Sequence, residues 1–495
     1  MKTIQRICLV ALVALTTGCL DFEQLRDNPN DPLTVPPSLL FTELIPSPES
    51  SFAGDAYTFA QYHIWIATDN AAAPSYQFGR ASFTYDKIRN IDKMDEESER
   101  VNAPVYSIIG KFFRAYYYVE MTRRMGDIPL SESMKGADNP TPVYDPQKAV
   151  YLKALEWLEE ANLELGDYIQ ANPGVVLEGD VYFNGNLKNW QKIINAYTVR
   201  TLVTLSKRES DPDLDIAGRM SRIYTQPDKY PLLVSSADDA QLTYRNEDGF
   251  RQTYNPDQAV YRAATVYADT YIDMLKKYKD PRLMAVADPT QDALDANPGN
   301  ELAVRSDFNS YAGADFSANG TANSSKKLDG DFSLPNEEKY WNYIGQPAIW
   351  IGYAEQELNL AEAAHRGWIS ANPRVHYTAG IIASMGFYGI GEQEAMSYSE
   401  SHAPYLSGSE GLTRIHEQMY LAYAEEYGWE SFFMTRRTGV PSYKFSSENN
   451  VDQIPLRWMY PSSENERNQA NYRNALISQF GAEIDDRDQV MWILK

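Results

Sequence analysis

The sequence predicts a mainly α-helical protein, a scaffold of stacked helical hairpins that carries long, irregular, loop-rich insertions. Apolar residues recur three and four apart in several separate runs, the period of a helix with one buried face. Three of the predicted helices end on the same stop signal. Between Asp211 and about Pro347 the helical period fades into sequence rich in Asn, Asp, Gly and Pro, the residues of turns.

In chain order, the first run is Val105, Ile108, Phe112, Tyr116 and Val119, and the second is Val150, Ala154, Leu158, Ala161 and Leu165. Trp190, Ile194, Tyr197, Thr201 and Leu205 form a third. Ile351, Ala354, Leu358 and Ala361 follow after the turn-rich stretch, then Met419, Ala422, Glu426, Trp429 and Phe433. Each stripe has to be covered by a neighbouring helix. The stop signals are Arg123-Arg124-Met125-Gly126 with Pro129, His365-Arg366-Gly367, and Arg436-Arg437-Thr438-Gly439 with Pro441. Basic side chains suit the negative helix end, Gly takes the left-handed cap, and Pro prevents resumption. Their unequal spacing means that any repeat is degenerate. We expect the scaffold mainly over 50–210, 347–390 and 413–437, and irregular ligand-face segments over about 211–346 and 441–474. Residues 307–336 are the most irregular of all. Long irregular segments cost ordering entropy and are usually functional.

The chain has 495 residues, 68 acidic against 45 basic side chains and a net charge of −23. That balance excludes nucleic acid as a partner, because phosphate neutralisation needs clustered Lys and Arg. A chain this long buries about 75% of its unfolded surface, so it needs no disulfide or metal staple. Length alone suggests about three domains, which one extended helical array overrides.

The N-terminus joins a basic start, an apolar run from Ile7 to Leu15, and Thr16-Thr17-Gly18-Cys19. The run is too short to span a membrane and reads as a secretory signal over residues 1–18. A small residue before Cys19 resembles the lipobox of bacterial lipoproteins, although Leu15 lies one position further back than usual. Ordinary cleavage with Cys19 a bystander is the alternative, and the lack of an A-x-A site favours lipidation. Loss of residues 1–18 removes Lys2, Arg6 and Cys8, which leaves Cys19 as the one cysteine and the net charge two units more negative. Residues 19–37 then form a lipidated cysteine and an extended tether rich in Asn and Pro, ahead of a single domain over 38–495.

Catalytic and metal-binding motifs are mostly missing, and no cofactor is expected. His416-Glu417 begins like a zinc-protease helix, but Tyr420 stands where the second histidine belongs. Asp211-Pro212-Asp213-Leu214-Asp215 imitates an EF-hand and fails at Ile216 and Arg222, so it reads as a cap or a solvated turn. Neither G-x-S-x-G nor a phosphate-cradling Gly-Lys loop occurs. With 68 acids some carboxylate pair is close by chance, so glycoside hydrolysis stays open at the level of sequence.

Aromatics beside polar residues are the stronger signal. The chain has 35 Tyr, 18 Phe and 9 Trp. Residues 57–85 hold Tyr62, Trp65, Asp69, Asn70, Tyr76 and Phe78, and a second cluster holds Tyr311, Tyr340, Trp341 and Tyr343. Sugars pack their C–H faces on rings and bond their hydroxyls to Asn, Asp or Arg, and peptides suit such surfaces too. We take Tyr62, Trp65, Asp69, Asn70, Tyr76, Phe78, Tyr311, Trp341 and Tyr343 as the candidate ligand residues, although core burial is the plain alternative for any single one.

Ordered landmarks then point to a family. They are Asn28-Pro29-Asn30; Phe113-Arg114-Ala115-Tyr116 leading to Met125-Gly126-Asp127-Ile128-Pro129-Leu130; Gly185-Asn186-Leu187-Lys188-Asn189-Trp190 through Asn195 and Arg200; and Ala354-Glu355 through Glu362-Ala363. Gly380-Ile381-Ile382-Ala383-Ser384-Met385, Arg436 to Pro441, and Arg457 with Tyr460-Pro461, Glu464 and Asn468 complete them. In this order they resemble the SusD/RagB family of outer-membrane nutrient-binding lipoproteins, and more narrowly its SusD-like branch. The resemblance implies a tetratricopeptide-like helical scaffold, an irregular ligand face, and a SusC-type TonB-dependent transporter as partner. It also implies surface capture of oligosaccharide or peptide without catalysis. Trp190, Arg200 and Glu362 are expected to pack or pair helices. A surface glycoside hydrolase and a structural adaptor without small ligand are the alternatives.

Overall fold

The periodic runs fold as helices packed each against the next in chain order. The computed structural model describes residues 34–46, 54–66, 79–445 and 453–495. Its scaffold is made of α1 (Pro37–Leu44), α2 (Tyr85–Arg100), α3 (Val105–Met125), α4 (Gln147–Ala171) and α5 (Leu187–Thr204), followed by α6 (Tyr353–His365), α7 (Pro373–Phe387), α8 (Ser409–Tyr423) and α9 (Glu430–Thr438). Helix α2 packs on α3, α3 on α4 and α4 on α5, and α5 then packs on α6 across the whole intervening segment. Helix α6 is covered in turn by α7 and α8. The fold is thus mainly α, built from successive helical hairpins.

Trp190 is fully buried on α5 and centres one core. The rings of Phe41, Phe112, Phe113 and Phe183 lie 5.3–6.3 Å from it, mostly edge to face. Asn186 starts α5 by accepting the Lys188 N–H on its side chain, which satisfies a donor the helix leaves free. Gly439 takes the left-handed cap expected of the stop signals and Gly367 has positive φ, whereas Gly126, at φ +100° and ψ −132°, lies outside the left-handed helical region. Their arginines do something else. Arg123 reaches Glu430 on α9 with two hydrogen bonds of 2.6 and 3.1 Å, and Arg437 on α9 reaches Glu362 on α6 at 2.6 and 2.9 Å. They cross-link helices instead of only neutralising their own helix ends.

Three expectations need correction. Ile351 belongs to β4 (Ala348–Ile351), not to the α6 stripe, because Gly352 separates strand from helix. The run from Met419 to Phe433 is two helices, broken at 424–429 where Glu425, Tyr427 and Gly428 take positive φ. Residues 211–346 are far more helical than their composition predicts. They include Ile216–Thr225, Ala259–Ala264, Asp269–Lys277 and Gly320–Asp329, the last inside the stretch expected to be most irregular. That helix forms because Asn319 accepts the Ala322 N–H at its start and Gly330 takes the left-handed cap at its end.

Short antiparallel ribbons tie these segments together: β1 (His63–Trp65) pairs with β3 (Thr265–Tyr267), and β2 (Ala240–Leu242) with β4. The acidic run at Asp211 is no calcium loop. Asp211 and Asp213 hold Lys148, and Asp215 pairs with Arg222. Arg457 and Tyr460, within the segment expected on the ligand face, contact the end of α3 and the residues just after it. Arg457 donates to Met125 O at 3.1 Å, and Tyr460 Oη donates to Asp127 O at 2.6 Å. Among the described residues no helix is long and apolar enough to cross a membrane, and no group of three or more His, Cys, Asp or Glu could hold a metal ion.

Candidate ligand-binding face

The β1–β3 ribbon decides which aromatics of the first cluster reach the surface. Strand β1 buries His63 and Ile64 and leaves Trp65, at its end, 38% exposed. Trp65 pairs with Thr265, the residue that follows the short helix Ala259–Ala264. That helix offers Tyr261, whose ring lies 5.5 Å from Trp65 at 77°. The adjacent Arg262 crosses to the second aromatic cluster. Its guanidinium sits 5.5 Å from the centre of the Trp341 ring and pairs with Glu337 at 2.5 Å. Trp341 in turn meets Tyr254 edge to face at 5.0 Å.

Tyr343 continues the row two residues on. Arg251 stacks 4.3 Å from its ring centre and pairs with Asp257 at 2.9 Å, while Tyr343 Oη donates to the same carboxylate at 3.1 Å. The loop that holds Trp341 and Tyr343 is pinned from below by buried Gln252, whose amide donates to Tyr340 O at 2.6 Å and Asn342 O at 2.5 Å. Gly345 follows with φ +57°, and a Cβ there would stand 2.0 Å from Gln252 Oε1. Only glycine lets the loop lie that close. The result is an outward row of rings and guanidinium groups, with Asp257 and Glu337 as carboxylate acceptors beside them.

Two nominated tyrosines are not part of it. Tyr62 is fully buried, stacked on Tyr420 at 4.5 Å, with its hydroxyl donating to Tyr420 O at 2.5 Å and sharing a hydrogen bond with Ser431 Oγ. Burial pushes its hydroxyl pKa well above the ordinary value. Tyr311 is 1% exposed, donates to Arg305 O at 2.7 Å, and is pushed up to about 12 by burial. Both are core residues, because each ring fills a gap between helices and each hydroxyl finds an acceptor inside. Cys19, Asp69, Asn70, Tyr76 and Phe78 lie outside the described residues.

A family profile described as "SusD-like_2: Starch-binding associating with outer membrane" matches residues 29–461. The chain belongs to this SusD-like family. No curated protein matches the sequence. Among solved structures, a SusD homologue from Bacteroides fragilis NCTC 9343 is 34% identical, with a TM-score of 0.79 over 93% of this chain and 100% of that one. An outer membrane protein of Bacteroides vulgatus ATCC 8482 associated with nutrient binding is 31% identical, with a TM-score of 0.81 and the same coverage. A chitin-binding protein, 20% identical over 92% of this chain and 99% of its own, shares the fold at a TM-score of 0.69.

In this SusD-like chain the structure brings Trp65, Trp341 and Tyr343 together on one face. It adds residues that the sequence reading passed over, Tyr261, Arg251, Arg262 and Asp257, with buried Tyr254 packed behind Trp341. A signal for them existed, since Arg, Tyr and Asp recur within 251–262, but that segment lacks tryptophan and sits in turn-rich sequence.

Proposed function

We propose that the protein is a lipid-anchored surface receptor that captures oligosaccharide, or a peptide of similar amphipathic character, and passes it to a SusC-type TonB-dependent transporter without breaking a bond. The observation that carries this reading is the row Trp65, Tyr261, Trp341 and Tyr343 interleaved with Arg262 and Arg251. Sugar rings lay their C–H faces on such rings while hydroxyls bond to the guanidinium and carboxylate groups between them. The family's description as starch-binding and a structural relative named for chitin binding favour a glycan over a peptide. In this reading residues 1–18 are removed, Cys19 carries the lipid, and residues 19–37 tether the single domain 38–495 over the transporter.

Calorimetry against a panel of glycans and peptides tests the receptor role. Saturable binding is expected, weakened about tenfold by Trp65→Ala or Trp341→Ala with the melting temperature unchanged. Normal binding in both variants would refute the face. Robust glycan hydrolysis by the pure protein, abolished by one carboxylate substitution, would replace the receptor with a hydrolase. Pull-down from outer membranes is expected to recover the transporter, and Cys19→Ala is expected to abolish incorporation of labelled fatty acid.

A further inference from the structure

A cavity lies away from the aromatic row, where the β2–β4 ribbon meets α7 and the turn after α8. It encloses about 440 Å³. One wall is apolar, formed by Ile349, Ile382 and Phe387, and the rim opens past Ser236 and Gln241. Two carboxyl groups line it, Asp239 and Glu426. Glu426 is 3% exposed. Its Oε2 accepts the Ile349 N–H at 2.8 Å, but its Oε1 has no hydrogen-bond partner. Asp239 accepts the Tyr353 N–H at 2.6 Å on one oxygen. Neither carboxyl has an ion-pair partner among the described residues, whereas Asp238 next door is held by Lys192 at 2.8 Å.

An unpaired buried carboxyl oxygen costs the fold its full desolvation penalty, and a second carboxyl on the same wall adds repulsion. Surrounding charges do not relieve it. Glu425, Asp238 and Glu355 add negative potential; Lys192 is taken up by Asp238, and Lys339 leans on the Tyr388 ring 4.6 Å from its centre and is itself discouraged from charging by burial. Burial pushes Glu426 well above the usual carboxylate range and Asp239 to about 7. What the cavity lacks is a cation with hydrogen-bond donors.

We propose that this cavity binds a small ligand bearing a primary ammonium group, held between Glu426 Oε1 and Asp239 with its apolar stem against Ile349, Ile382 and Phe387. An amino sugar and a basic amino acid both supply that chemistry. An ammonium ion gives three donors and one positive charge, which satisfies the orphan oxygen and offsets the like-charged pair in one contact. The inference stands apart from the aromatic row, since none of the residues named for that row lines this cavity.

The test is calorimetry at pH 8 on the full chain with four probes: glucosamine and lysine amide, against glucose and N-acetylglucosamine. Both amines, or one of them, are expected to bind while the neutral sugars do not, and which amine binds better identifies the source. Glu426→Gln keeps the acceptor for Ile349 N–H and is expected to weaken the amine about tenfold or more. Because the amide matches the neutral carboxyl that burial favours in the ligand-free protein, it is expected not to lower the melting temperature of that form. Ala383→Leu fills the cavity from α7 and is expected to abolish binding by volume alone. Equal binding of glucose and glucosamine, no binding of either amine at millimolar concentration, or unchanged binding in both variants would each overturn the proposal. Trp65→Ala is expected to leave amine binding intact, so failure here is distinguishable from failure of the aromatic face.

Discussion

The guanidinium of Arg200 on α5 and the carboxylate of Glu355 on α6 form a bidentate ion pair between positions 155 apart in sequence, both almost completely buried. Arg200 also donates to Trp350 O at 2.8 Å, and Glu430 lies 3.5 Å away. This contact joins the helices before the irregular segment to those after it.

Breaking the pair from one side leaves a charge stranded in an apolar interior. Glu355→Leu or Arg200→Met is expected to cost about 3–5 kcal/mol in urea unfolding. The double variant Arg200→Met/Glu355→Leu is expected to lose less than the sum of the two, because no charge is then stranded. Additive losses would mean that the two side chains act independently.

Core and face tyrosines are expected to separate cleanly. Tyr62→Phe and Tyr311→Phe each delete a buried hydroxyl that donates to a backbone carbonyl and are expected to cost about 1 kcal/mol of stability with ligand affinity unchanged. Tyr343→Phe, whose hydroxyl bonds to a surface carboxylate, is expected to show the reverse pattern. Paired denaturation and calorimetry on the three variants decide it.

At Gly345 a methyl group meets the Gln252 amide that pins the aromatic loop. Gly345→Ala is expected to cost more than about 1 kcal/mol, since both the positive φ and the contact oppose it. Tryptophan fluorescence of Trp341 is expected to shift as the loop moves. An unchanged spectrum with unchanged stability would show that the loop has room.

His63 supplies a pH dependence. Burial lowers its pKa from 6.5 to about 3, so the folded chain keeps the ring neutral where the unfolded chain protonates it. Between about pH 6.5 and 3 the unfolded state therefore binds more protons. The contribution of this group to stability is complete above 6.5 and is lost as pH falls, by about 1.4 kcal/mol per pH unit. His63→Gln is expected to remove that slope, so that the difference between variant and wild type in urea midpoints changes with pH from 7 to 4. Parallel curves would refute the assignment.

The long helices were legible because a 3.6-residue apolar period is hard to produce by chance over α3, α4 or α5, even though α5 ends up buried on almost every side. Short elements were not. Ile351 fits the α6 stripe in spacing and yet belongs to a four-residue strand, since periodicity cannot tell a short apolar run in a strand from a helix turn. The helix Gly320–Asp329 has almost no apolar stripe and depends on its caps. For the candidate face, clustering brought Trp65, Trp341 and Tyr343 into view, but composition could not separate Trp65 from Tyr62 three residues earlier. That difference is set by long-range contacts, Tyr62 stacking on Tyr420 while Trp65 ends β1 opposite Thr265. Arg251 and Arg262 escaped notice because an arginine is defined as a ring partner only once the ring is beside it.

The ion pairs that close the scaffold also act as a check on completeness. Arg200 and Arg123 belong to the first half of the chain, and Glu355 and Glu430 to the last third. A chain cut short before residue 350 would hold α3 and α5 with Arg200 facing no carboxylate and with the stripe that α6 covers left bare. Such a fragment would be penalised in its own interior and exposed to proteolysis. Only a chain that has arrived whole can lock.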